Sequence, residues 1–167
     1  MSPSRSIVVV SLFMALAIAT AVVRGQSTSP LSGTWKLNLA KSTYNPANLA
    51  PKSATVKYVV TGDQIQAVTD GVDSQGRATH TEYTAKLDGS PATGKFLIDG
   101  KPNPDQDGVS WKKIDNNTYE STTMLKGKAL VTSHIVVAAD GKSRTVTATG
   151  KNAQGQTVNN KYTYDKQ

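Results

Sequence analysis

Beyond Gly33 the chain alternates apolar and polar residues with a period of two, and it does so segment after segment. Trp35, Leu37 and Leu39 alternate with Thr34, Lys36 and Asn38, and Val56, Tyr58 and Val60 alternate with Thr55, Lys57 and Val59. Thr79, Thr81, Tyr83, Ala85 and Leu87 then share one face of a longer segment, with Ala78, His80, Glu82 and Lys86 opposite. Successive side chains of a strand point to opposite sides, so this pattern gives each segment one dry and one wet face. Between segments stand the residues that reverse a chain: Gly62-Asp63, residues 71–76 (GVDSQG), Asp88-Gly89, residues 115–117, residues 126–128 and Asp140-Gly141. Residues 40–53 carry Pro46 and Pro51 and read as a long loop with one helical turn, and residues 100–108 (GKPNPDQDG) read as a surface loop. The expectation is an all-β fold, a single antiparallel up-and-down meander closed into a barrel of roughly 8–10 strands.

Composition agrees with this. Thr, Val, Gly, Asn and Lys recur while Phe is scarce, a mixture suited to half-buried pleated surfaces and tight turns. The 167 residues suit one domain. With no cysteine, the domain has no disulfide staple and no thiolate nucleophile or metal ligand. The formal charge of +7 is spread singly along the chain. It forms no dense basic run interleaved with aromatics, so no nucleic-acid partner is expected.

The N-terminus has a different character. Residues 1–5 are short and positively charged, residues 7–23 (IVVVSLFMALAIATAVV) are apolar, and small and polar residues follow. This is the pattern of a secretory signal, with cleavage placed after Gly25 or after Ala21. The apolar run falls short of the ~20 residues of a spanning helix, so no retained membrane span is expected. The sequence therefore divides into a signal peptide at 1–25, a flexible leader at 26–32 and a β-barrel domain at 33–167. Cleavage would leave 17 basic against 12 acidic residues, a charge of about +5. The product would be exported, to the periplasm or the outside, and a monomer is favoured.

Residues 62–84 also lie over residues 141–163. Gly62 falls against Gly141, Gln75-Gly76 against Gln154-Gly155, and Tyr83-Thr84 against Tyr162-Thr163. Repeated meander units need similar turn chemistry, and duplication would give the same echo.

At Gly33-Thr34-Trp35 the first strand resembles the Gly-x-Trp opening of the lipocalin group, in which the motif Trp sits at the closed end of the barrel. The whole region from residue 33, with LNLAKSTYNP at residues 37–46, looks like a group of exported bacterial lipocalin-like proteins that are mostly uncharacterised. The resemblance implies a small closed barrel, with Gly33 and Trp35 as structural motif residues. It also implies a basic residue packed on the motif Trp, for which Arg144 and Lys161 are the candidates. The usual lipocalin disulfides are missing.

A barrel of this size can be filled by side chains or can hold one small ligand. The candidate wall residues are Tyr58, Tyr83, Trp111, Tyr119 and Tyr162, which combine a flat apolar body with a polar tip. His80 and His134 are the only imidazoles, and His80 should face solvent. No His, Asp or Glu cluster has metal-ligand spacing, and no nucleophile elbow, phosphate loop or dinucleotide fingerprint occurs. No catalytic residue and no cofactor is assigned. The leading reading is an exported binding protein for a small, mainly apolar ligand. The rivals are a filled barrel acting through its surface as an envelope interaction protein, and an enzyme using the pocket, which no motif requires.

Overall fold

The computed structural model describes residues 29–167, and the proposed signal peptide lies outside the described residues. The described residues are all-β, with a single 3-10 turn at Ala47–Leu49. Twelve strands follow one another: β1 Gly33–Thr43, β2 Ser53–Thr61, β3 Gln64–Val72, β4 Ala78–Lys86, β5 Asp88–Ala92 and β6 Gly94–Ile98, then β7 Lys101–Pro102, β8 Gly108–Lys113, β9 Thr118–Leu125, β10 Lys128–Val137, β11 Ser143–Lys151 and β12 Thr157–Lys166. All pairings are antiparallel, in the order β5-β8-β9-β10-β11-β12-β1-β2-β3-β4-β6-β7.

The ends of that order meet. β5 pairs with β8 and β6 pairs with β4, yet the two are separated in the chain only by Thr93. Residues 88–98 therefore act as one return segment shared by both ends of the sheet. The amide of Lys113 donates to the carbonyl of Leu87 across the same seam, at 3.0 Å. Counting β5 and β6 together, and β7 as a short tab, the curled sheet has ten staves. The sequence pattern missed β7 because two residues are too few to alternate, and β5 because Asp88-Gly89 reads as a turn. The expected helical turn within the long loop is present, although β1 runs on to Thr43 before it.

Alternation sets the core. Trp35, Val56, Tyr58, Ile65, Ala67, Ala85, Phe96, Val109, Trp111, Tyr119, Ile135, Val146 and Ala148 are buried on the inner face. The small side chains of Ala67, Ala85 and Ala148 leave room for the large rings. One irregularity sharpens the curl: the β9–β10 register slips around Leu130, and Gly150 of β11 passes this bulge at φ +143. A Cβ at Gly150 would run into the carbonyl of Leu130.

The packed structure reaches further toward the N-terminus than the sequence reading places it. Residues 29–32, expected to be part of a mobile leader, are packed down. Leu31 is fully buried, its carbonyl accepts from Trp35 Nε1 at 2.8 Å, and Ser32 Oγ accepts from the amide of Val60 at 3.0 Å. A single leucine among polar residues shows no alternation, so its role is set by the hole it fills.

Candidate functional site

The interior has two unlike ends. At one end Leu31, Trp35, Ile65 and Tyr119 have no measurable exposure, and Val137 and Arg144 have 2% each. Gly33 opens β1 there at φ +126, and a Cβ on it would sit 2.7 Å from Lys166 Cε. Lys166 in turn reaches over the Trp35 ring at 4.9 Å and donates to the carbonyl of Pro30 at 3.1 Å. The hydroxyl of Tyr119 meets Ser29 Oγ at 2.7 Å. This end is a plug. Toward the other end, the inner positions of β3, β4, β9 and β10 become half-buried and carry hydroxyls: Thr69, Thr79, Thr81, Ser121, Thr123 and Ser133.

Between these ends lie the aromatics. Tyr58 meets Trp111 edge-on at 5.4 Å, Trp111 Nε1 donates to the hydroxyl of Tyr83 at 2.9 Å, and Tyr83 stacks on Phe96 at 6.0 Å. The desolvated hydroxyl of Tyr83 is pushed well above the ordinary tyrosine value, so it stays protonated and can still donate. Tyr162 belongs to a neighbouring group. Its ring lies 5.2 Å from Tyr44, and its hydroxyl accepts from Asn160 Nδ2 at 2.6 Å. Burial pushes the Tyr44 hydroxyl up to about 12.

Of the five wall candidates, Tyr58, Tyr83 and Trp111 thus form one cluster and Tyr162 a second beside it, while Tyr119 sits in the plug. Three contributors were missing from the candidates. Tyr164 lies two residues beyond Tyr162 on the same face and was legible by the same rule. Phe96 sits on a strand of only five residues, and Tyr44 stands in the proline-bearing loop, where alternation says nothing.

Arg144 is the only charged side chain among the described residues that is buried. Its guanidinium carbon stands 4.0 Å from the Tyr164 ring centroid, 5.1 Å from Tyr58 and 5.6 Å from Trp35. Of the two basic residues considered as partners of Trp35, it is Arg144 that packs there. Lys161 is exposed on β12, where its strand neighbours are Thr43 and Thr147.

The wall has a gap beside this group. β1 and β2 pair only where residues 33–36 face residues 55–58, after which β1 bulges and follows β12 alone. A cleft of about 410 Å³ opens between them, lined by Leu37 and Ala54 from the inner face and by Lys36, Lys52 and Asp165 from outside.

His80 lies on the outer face, with Nδ1 2.8 Å from Asp70 and Nε2 3.8 Å from Glu82. A hydrogen bond and the charge of Lys95 hold the Glu82 carboxyl below its ordinary value. Among the described residues no group of three or more His, Cys, Asp and Glu side chains could hold a metal ion, and no helix is long and apolar enough to cross a membrane.

No family model matches the chain, and no curated protein matches it. Among solved structures, the chain is similar to a redesigned β-barrel, mFAP1, bound to DFHBI. The identity is 14% and the TM-score 0.41, over 84% of this chain and all of that one.

Proposed function

We propose that this protein is an exported, lipocalin-like barrel that binds a small, mainly apolar ligand inside. The observation that carries the reading is the unequal interior. One end is sealed by Leu31, Trp35 and Tyr119, while Tyr83 and Tyr162 in the middle stay half-buried and the inner face beyond them is rimmed with hydroxyls. A concave apolar surface with a few polar groups is what binds compact hydrophobic molecules. The Gly33-x-Trp35 opening and the secretory pattern of residues 1–25 support the lipocalin-like and exported parts of the proposal.

Two measurements test it. Mass spectrometry of solvent extracts from the purified protein should find a carried hydrophobic molecule, and tryptophan emission should change saturably on titration with fatty acids and other hydrophobes. An empty extract together with no saturable change would favour the filled barrel that acts through its surface. For export, the mature protein should begin near Gln26, and an intact Met1 on the exported form would refute it.

A further inference from the structure

We infer that residues 103–107 form a strap over the open end of the interior, latched by a hydrogen bond from Gln154 to Asp105, and that ligand passes when this latch lets go. The inference rests on the binding function proposed above and adds to it how access to the site is controlled.

The span of one hydrogen bond carries it. Residues 103–107 join β7 to β8, whereas Gln154 stands in the turn from β11 to β12. Both lie at the hydroxyl-lined end, where Gly108 pairs with Met124 and Gly150 with Val131 and Val158. Gln154 Nε2 nevertheless donates to Asp105 Oδ1 at 2.9 Å. In the sheet β9 and β10 separate β8 from β11, which makes three strand spacings of about 4.8 Å, or roughly 14 Å. A loop standing upright on β8 would not cover this distance. Asp105 is three residues from Gly108, so the backbone reaches about 10 Å and the two side chains close the remainder, once the loop lies down across the mouth. Burial agrees. In a segment whose composition reads as a surface loop, Asn103, Asp105 and Gln106 are half-buried, and only Pro104 and Asp107 are exposed.

The two attachments of the strap are unlike. At its feet the amide of Asn103 donates to the carbonyl of Phe96 at 2.8 Å, and the amide of Asp107 donates to the carbonyl of Met124 at 3.1 Å. The Asp107 carboxylate also accepts from the amide of Lys126, at 2.9 and 3.0 Å. The middle is stiffened by Pro104, whose ring fixes φ, and by Asn103 Oδ1, which accepts from the Asp105 amide at 2.9 Å. Among the described residues the far end is held by the Gln154 bond, and no lysine or arginine pairs with Asp105. The side chain of Gln154 is free to make that bond, because Asn152 Oδ1 ties its turn by accepting from the amides of Gln154 and Gln156. A lone exposed hydrogen bond favours the closed strap by about tenfold or less, since both partners find water when it breaks. Firm feet and a releasable tip are the construction of a gate. The inner-face hydroxyls of Ser121, Thr123 and Ser133 lie on the strands that it crosses.

The chain has no cysteine, so Asp105→Cys combined with Gln154→Cys creates its only two thiols, and a short bis-maleimide can tie them together. The control is the same double variant with each thiol capped by N-ethylmaleimide. Binding and release of N-phenyl-1-naphthylamine, a neutral dye that brightens in apolar surroundings, are followed by stopped flow. Tying the strap down should slow both rates at least about tenfold and change the affinity by less than about threefold, because a gate impedes passage equally in both directions. Gln154→Ala, which removes the latch and leaves the backbone bonds of the turn, should raise both rates about two- to tenfold. Equal rates in the tied and capped proteins would overturn the inference, with the binding function left standing and the entrance placed in the wall. No saturable binding of this dye or of fatty acids by the unaltered protein would overturn the binding function itself.

Discussion

The two ends of the interior are built from the same alternating strands but on opposite principles. At the plug, large rings and aliphatic chains are fully enclosed, and residues 29–32 pack against them through Tyr119, Trp35, Val60 and Lys166. At the rim, many inner positions are short hydroxylated side chains, and the loop at residues 103–107 reaches across to the β11–β12 turn, where Gln154 Nε2 donates to Asp105 Oδ1 at 2.9 Å. A protein interior is close-packed, so removing atoms costs most where nothing can relax into the space. The plug should therefore carry stability and the rim should be free to carry specificity.

The sharpest way to break this contrast is Trp35→Ala. It removes the side chain that Leu31, Arg144 and Lys166 all pack on, and unfolding in urea should show a loss of about 3–5 kcal/mol. Tyr119→Phe keeps the ring and removes the bonds of its hydroxyl to Ser29 and to the carbonyl of Asn116, so the same measurement should show a loss of about 1 kcal/mol. At the rim, Ser121→Ala should stay within about 0.5 kcal/mol of the parent. A rim loss as large as the Trp35 one would mean that the hydroxyl-lined end is as tightly packed as the plug.

The smallest effect lies in two rim turns that can be compared with each other. Asp73 Oδ1 accepts from the amides of Gln75 and Arg77, and Asn152 Oδ1 accepts from those of Gln154 and Gln156. Only the first turn titrates. Burial pushes the Asp73 carboxyl up, but the hydrogen bonds and charge of Arg77 outweigh it and leave the group below the ordinary value of 3.8. A depressed folded-state value means a contribution that is present above 3.8 and lost as pH falls through the lowered one. On acidification, hydrogen exchange at the Arg77 amide should speed up relative to that at Gln156, and Asp73→Asn should abolish the difference.

These twin turns also show what a sequence makes legible. Gly76 and Gly155 take φ of +88 and +78 in matching places, and the echo between residues 62–84 and 141–163 foretells this because turn chemistry is local. Strand faces were legible for the same reason, and with them the positions of Tyr58, Tyr83, Trp111 and Tyr162. Leu31 was not, since its burial depends on a cavity assembled by strands far away in the chain. Nor was the loneliness of Arg144. Alternation places it on the inner face, but only the three-dimensional arrangement shows rings where a carboxylate would be expected.

The pairing of β12 with β1 has a consequence for how the molecule is made. The first and last staves are neighbours, joined where residues 35–38 face residues 163–166. A nascent chain can therefore form the hairpins in the middle but cannot seal the ring until β12 has left the ribosome. Contacts spanning nearly the whole length form late and slowly. A polypeptide built in this way remains an open sheet until β12 pairs with β1.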